Sequence, residues 1–304
     1  MSQEASFIEA LRALATHPAA RGLDDDAALL EGLVFTHDML AEGVHYLPTD
    51  PPEDVAWKLL AVNLSDLAAK GAVPLAVLMG YCLSGDADWD ARFVAELKTA
   101  LATFNVALIG GDTVALPTDA PTVLSLTAIG RAGAATPSRS GARIGDNLFV
   151  TGGIGDAGLG LRVALGEIHN AALLAAYRRP TPQLAAGQAL APIVSAMMDV
   201  SDGLLIDAQR MALASGVGLS IDIDAVPLSP EAIAMAGNDR AARMAAATSG
   251  DDYQLLFTSS TPLPTLPCRV TRIGRLVEGV GIRLHDSKGD ISLPATLGWL
   301  HSKP

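Results

Sequence analysis

The chain is short of the features that classify a protein at a glance. Its two cysteines, Cys82 and Cys268, lie far apart and outside any CxxC unit, so neither a disulfide framework nor a thiolate zinc site is indicated. Positive charge is scarce: 21 lysines and arginines stand against 33 aspartates and glutamates. The formal charge of −12 argues against nucleic acid as a partner, because phosphate backbones recruit basic patches. Long hydrophobic runs are missing too, and the most apolar window, "GAVPLAVLMGYCL", is too short to span a bilayer. The opening "MSQEASFIEALRAL" carries no basic stretch of the secretory kind, so a cytoplasmic location is expected. No lysine sits in a GxxxxGK[ST] loop, and neither an HExxH pair nor a GxSxG elbow occurs. If ATP is handled here, charge neutralisation falls to metal ions held by carboxylates.

What is present suits a globular protein with a large core. Half of the 304 residues are hydrophobic and 18% are charged, enough for one large domain or two ordinary ones. Strand and helix patterns alternate, and no solenoid period is visible. A short amphipathic helix is expected over Phe7 to Ala15, then a strand "GLVFTHDM". In "TDPPEDVAWKLLAVNLSDLAAKGAVP", Asp50 is placed to cap a helix, Pro51 suits its first turn and Glu53 stands at the capping-box position. Gly71 and Pro74 close it. Asn63, Asp66 and Lys70 form one polar stripe on this otherwise apolar helix, and such a stripe points at a site or an interface. Further strands are read in "AVLMGYCL", "VALIGG" and "TVLSLTAIGRA", with a helix from about Asp90 to Phe104.

The Gly, Ser and Pro content of "ATPSRSGARIGDN" marks a boundary, dividing the chain into residues 1–135 and 136–304. The second half opens as strand, glycine loop and helix. Its "GIGDAG" matches GxGxxG, but a dinucleotide fold wants a second strand ending in an acid, and "LLAAYRRPTPQ" is neither. A tight strand-to-helix turn is the simpler reading. Later, "VGLSIDIDAV" alternates strictly, as a sheet strand with one wetter face does.

Carboxylates recur at element ends or on apolar elements, where solvated acids are not the rule. Asp26 precedes a strand that ends at Asp38, Asp66 lies on the polar stripe, and Asp112 follows "IGG". Asp199 and Asp202 bracket the turn in "MDVSDG", with Asp202 in position to cap the next helix. Each alone reads as a cap or turn residue. Six together beside glycine turns suit a phosphate site built on several magnesium ions.

In order along the chain, "DDDAALL", "THDMLAEGVHYLP", "LAVNLSDLAAKGAVP", "LIGGDT", "RSGARIGD", "TGGIGDAGLGL", "MDVSDGLL", "SGVGLSIDIDAVPLS" and "GDDYQLLFT" resemble the thiamine-monophosphate kinase family, a branch of the aminoimidazole ribonucleotide synthetase-like ATP-binding proteins. The resemblance implies a two-domain α/β (α+β) PurM-like fold. Its N-terminal strands would pair into a barrel across a homodimer, and its C-terminal half would be an α/β domain with a mixed sheet. It implies ATP-dependent phosphorylation of thiamine monophosphate to thiamine diphosphate, with several Mg²⁺ ions and no membrane or nucleic-acid partner. By position, Asp26, Thr36, Asp38, Asp66, Asp112, Asp199 and Asp202 match the family's metal ligands. Gly111, Asp112, Arg139 and Ser201 match its nucleotide contacts, and His45, Asp251 and Trp299 its substrate contacts.

Departures from the family pattern are specific. Asp24 stands where it has glycine, His37 where it has a hydroxyl residue, Val114-Ala115 where it continues with hydroxyl and arginine, and Asp251 where it has glutamate. No side-chain general base is expected, because an acceptor phosphate with a second pKa of about 6 is already largely ionised. Two further readings keep the fold: an enzyme with another acceptor, and a nucleotide-binding regulatory protein without catalysis.

Overall fold

A computed structural model describes residues 3–117 and 120–300. Helix α1 (Gln3–Arg12) and a 3₁₀ turn (Pro18–Leu23) lead into strands β1 (Ala28–Leu30) and β2 (Leu33–Ala41). The first helix thus ends earlier than Ala15, at Arg12, whose guanidinium pairs with Glu9 and Asp24. Along β2 the alternation turns Val34, Thr36 and Leu40 inward, and Asp38 shares their face. Helix α2 (Pro52–Ala69) follows, then β3 (Val73–Leu83), α3 (Ala87–Phe104), β4 (Ala107–Ala115) and β5 (Val123–Arg131). The five strands form one sheet in the order β1-β2-β5-β3-β4. The β3–β4 pair is parallel, joined through α3, and the other pairs are antiparallel.

The second sheet has seven strands. They are β6 (Asn147–Thr151), β7 (Ala196–Val200), β8 (Gly218–Asp222), β9 (Gln254–Ser259), β10 (Val270–Val277), β11 (Gly281–Asp286) and β12 (Gly289–Ile291). Their order is β12-β11-β8-β10-β6-β9-β7, antiparallel except for β8–β11. Between β6 and β7 run α4 (Asp156–Ala164), α5 (Ala171–Arg178) and α6 (Leu184–Leu190). Helix α7 (Leu204–Ser215) lies on β7, β8 and β11; α8 (Pro230–Ala236) and α9 (Arg240–Thr248) complete the cover. The architecture is the mixed α/β fold in two parts that the sequence led us to expect.

Helix α2 is nearly apolar all round because it is enclosed all round. One side packs on β2, β5 and α3, and the other meets α5, α6, β7 and β9. Ala68 and Ala69 share a core with Leu190, Met197 and Phe257 of the second part. The approach of α6 is close enough that a Cβ on Gly187 would stand 2.0 Å from the Ala68 carbonyl oxygen.

Three local expectations need correction. Asp50 does not cap α2: the helix starts one residue later behind Pro51, and Asp50 instead accepts from Leu47 N and the Tyr177 hydroxyl and pairs with Arg178. Asp202 is replaced as cap by Gly203, the buried Asp207 carboxylate accepting the Ser201, Asp202 and Gly203 amides at 3.1–3.2 Å. The alternating strand stops at Asp222, whose side chain caps a 3₁₀ turn at Ile223–Ala225.

Because the α6–α2 contact admits no Cβ, Gly187→Ala is expected to destabilise the protein by about 1–3 kcal/mol. Chemical denaturation checks this; an unchanged midpoint would mean that α6 is not held against α2.

Candidate active site

The polar stripe of α2 is fully used. Asn63, with no exposed surface, donates to the Leu59 carbonyl and accepts from the Asp38 amide, both at 3.0 Å. Ser65 donates to Asp199 Oδ2 at 2.6 Å, and Asp66 accepts from the Thr36 hydroxyl. At the helix end Lys70, also without exposed surface, pairs with Asp25 and with Asp26 Oδ2 (2.7 Å) and donates to the Met197 carbonyl at 3.2 Å. Arg139 pairs with the other Asp26 oxygen, and Arg21 with Asp25. Buried polar groups need such partners, and most of the bonds here join segments distant in sequence, the Asn63–Leu59 and Arg21–Asp25 contacts being local.

Around this helix three carboxylates converge. Asp26, Asp66 and Asp199 each place an oxygen within 4.8 Å of the others. Asp38, within β2, is close enough to raise the Asp66 carboxyl. The electrostatics divide the group in two. Burial would raise the Asp26 carboxyl, but Lys70 and then Arg139 outweigh it and hold it well below the usual range. Burial followed by repulsion from Asp38, Asp199 and Asp26 pushes the Asp66 carboxyl well above that range. Burial and the Asp26 charge do the same to Asp199 against the Ser65 hydrogen bond. Asp38 is pushed up to about 6 by burial, then by Asp26 and Asp202. An all-oxygen donor set with surplus negative charge fits a hard divalent cation such as Mg²⁺.

The converging carboxylates lie beside a cavity of about 700 Å³ between the two parts of the fold. Of the residues singled out in the sequence, Asp38, His45, Asp66, Asp199, Ser201, Asp202, Asp251 and Trp299 line it. Asp202 pairs with Arg210 at 2.6 Å. His45 Nδ1 accepts from the Ala41 amide at 3.0 Å, which puts the proton of the neutral ring on Nε2. Asp251 is held on both oxygens, by Lys58 Nζ at 2.7 Å and by the Tyr253 hydroxyl at 3.1 Å. It sits at φ +66°, and its amide donates to the Ser201 carbonyl at 2.7 Å. Trp299, 55% exposed, donates its amide to the Asp202 carbonyl at 2.9 Å.

Other expected residues sit elsewhere. Thr36 and Asp26 lie behind the cavity wall, tied to Asp66 and to Lys70 and Arg139. Arg139, expected on a nucleotide, turns its guanidinium to Asp26. Gly111 and Asp112 lie on the exposed β4. Asp38 pairs across the sheet with Leu126, Leu126 with Met79, and Met79 with Gly111. Asp112 is therefore three strand spacings from Asp38, about 14 Å. His37 points away from the cluster, its ring nitrogen 2.8 Å from the Thr127 hydroxyl.

Sequence reasoning missed Lys58, Tyr253 and Asp207. Lys58, 2% exposed, also donates to the His45 carbonyl at 2.9 Å and lies over the Tyr177 ring. A lysine inside the apolar face of α2 and an acid in the first turn of "LLIDAQRM" were the available signals.

Residues 24–132 match the family described as AIR synthase related protein, N-terminal domain, and residues 143–286 match its C-terminal domain. Fold and acidic cleft together thus define an AIR synthase related protein. The thiamine-monophosphate kinase of Caulobacter vibrioides is 38% identical over 305 residues, covering 93% of this chain and 86% of that protein. A solved structure of AaThiL complexed with AMPPCP and TMP superposes with a TM-score of 0.87 at 30% identity, covering 98% and 97% of the two chains. The crystal structure of thiamine-monophosphate kinase from Stenotrophomonas maltophilia gives 0.77 at 35%, covering 94% and 96%. The chain belongs to the thiamine-monophosphate kinase family.

In protein stripped of divalent ions the raised carboxyls should govern stability near neutrality. Above the ordinary carboxylate range the unfolded chain has lost protons that folded Asp38, Asp66 and Asp199 still hold, so raising the pH costs stability there. The lowered Asp25 and Asp26 act oppositely, but only as pH falls below that range. The thermal midpoint is therefore expected to rise on going from about pH 7.5 to about pH 5.5, and less so in Asp66→Asn. A midpoint that falls over this interval would contradict the assignment.

Proposed function

We propose that the protein transfers the γ-phosphoryl group of ATP to thiamine monophosphate, giving thiamine diphosphate and ADP. The observation that carries this reading is the cavity itself, walled by the carboxylates of Asp38, Asp66, Asp199 and Asp202 on one side and by His45, Asp251 and Trp299 on the other. The relatives named as thiamine-monophosphate kinases, and the AaThiL complex with AMPPCP and TMP, support it. No described helix is long and apolar enough to cross a membrane, and a cytoplasmic site of action suits the use of ATP.

In the transfer a terminal oxygen of the acceptor phosphate bonds to the γ-phosphorus, and the bond from phosphorus to the bridging oxygen breaks with its electron pair leaving on ADP. The acceptor is already ionised, so no side chain need remove a proton. Mg²⁺, when bound, supplies the charge neutralisation that lets two polyanions meet. Asp26, Thr36, Asp38, Asp66, Asp112, Asp199 and Asp202 are assigned to hold several such ions. Asp66 and Asp199, with no cationic side chain against them among the described residues, are the strongest candidates. Gly111, Asp112, Ser201 and Arg139 are assigned to the nucleotide. The Nε2 proton of His45 suits a phosphate oxygen, and the carboxylate of Asp251 and the ring of Trp299 suit the cationic thiamine portion.

We further infer a homodimer, and a division into domains 1–135 and 136–304 that leaves the dimerising strands in the first. Strand β4 is an exposed sheet edge presenting Leu108, Ile109 and Val114, a surface that water disfavours. Pairing with a second copy to close a barrel would cover it. It also offers Asp112, remote from the cluster within one chain, a route to complete the site.

Protein supplied with ATP, Mg²⁺ and thiamine monophosphate is expected to form thiamine diphosphate, and Asp112→Ala to abolish turnover. ATP binding without product would favour the regulatory reading. Asp26→Asn is expected to cost about a hundredfold or more in kcat. Asp24→Gly should leave kcat nearly unchanged, because among the described residues the Asp24 side chain makes only an exposed pair with Arg12.

A further inference from the structure

Lys70 ends α2 with a charge the helix dipole favours, but lysines are seldom fully buried, as this one is. Its side chain has no exposed surface, and two adjacent aspartates with 1% and 3% side-chain exposure close on its ammonium. A buried ion pair is weak evidence for stability, because desolvating both charges offsets most of their attraction. The placement is more informative than the pairing. Asp26 faces Asp66 and Asp199 within 4.8 Å, yet gives one oxygen to Lys70 and the other to Arg139. No lysine or arginine pairs with Asp38, Asp66 or Asp199 among the described residues. The positive charge is therefore fixed at the back of the cluster, and the front is left negative.

We propose that Lys70 is a built-in cation of the acidic cluster, filling one of the charge positions that free divalent ions would otherwise take and so limiting how tightly the nucleotide-free protein binds them. It is a positioning residue, acting through Asp26. Its ammonium holds Asp26 Oδ2 from α2, one helical turn beyond Asp66, so both acids are set by the same helix. The nucleotide-free protein then keeps its acidic wall partly compensated, and the surplus at Asp66 and Asp199 is reserved for ions that arrive with polyphosphate. The inference rests on the metal-binding reading of the cluster.

The test is Mn²⁺ titration of the nucleotide-free full chain, with free ion followed by its electron paramagnetic resonance signal. Removing one positive charge a few ångströms from a divalent ion should strengthen its binding, so Lys70→Met is expected to bind Mn²⁺ about tenfold or more tightly than the unmodified protein. The paired variant Asp25→Asn/Lys70→Met covers the case in which Lys70→Met alone does not fold; because it also removes a negative charge, it is compared with Asp25→Asn and is expected to bind Mn²⁺ more tightly than that variant by a similar factor. Unchanged Mn²⁺ affinity on loss of Lys70 in either folded background, whatever the thermal stability, would overturn the proposal and leave Lys70 purely structural. Absence of Mn²⁺ binding in every form would overturn it together with the metal reading, whereas the thiamine diphosphate assay stands or falls separately.

Discussion

Charge compensation out of water is the constraint on which this molecule turns. Asp25 and Asp26 come from the loop before β1, Lys70 from the end of α2 and Arg139 from the segment between the two sheets. Each would cost several kcal/mol if buried without a partner. The segments can therefore meet only in an arrangement that satisfies all of them together. Lys70 also reaches the Met197 carbonyl of β7, and Arg21 the Thr136 and Pro137 carbonyls, so the same cluster ties the first part of the fold to the second. The cavity exists where it does because these contacts set its back wall.

Helix α2 turns that constraint into a site. Enclosed by both parts, it can be apolar on nearly every face, and its few polar side chains must then bond to whatever they meet. Those near its middle and end order the carboxylate-bearing segments: Asn63 accepts from the Asp38 backbone amide in β2, Ser65 orders Asp199, and Lys70 orders Asp26. Lys58, nearer its start, holds Asp251 on the opposite wall. One rigid element thus references both walls, which is how groups meant for two phosphorylated molecules can be held in register.

Much of this was legible in the sequence, for reasons that can be named. The alternation of β2 and β5, the length and apolarity of α2, and the glycine turns before α4 and α7 are local signals, and they forecast their elements. The stripe Asn63, Asp66, Lys70 was readable as facing something, because helical periodicity puts the three together. Caps were read less well. Asp50 and Asp202 stood in capping positions, but long-range partners, Arg178 with Tyr177 for one and Arg210 for the other, hold their carboxylates. At α7 the cap position fell to Gly203, and the Ser201, Asp202 and Gly203 amides go to Asp207, one turn inside the helix. Likewise the alternation after β8 continued past the point where Asp222 could close a turn on itself.

The triple aspartate shows where the two kinds of information part. Composition, periodicity and residue order determined that carboxylates would gather beside glycine turns on a two-part α/β scaffold, since those depend on neighbours in the chain. Among the three consecutive acids the family resemblance singled out Asp26, but not what each carboxylate would meet. The fold decides that: Asp24 is left on the surface against Arg12, Asp25 is closed between Arg21 and Lys70, and Asp26 is aimed at Asp66 and Asp199. Burial and the approach of charges from remote segments set what a carboxylate does, and both are properties of tertiary packing alone.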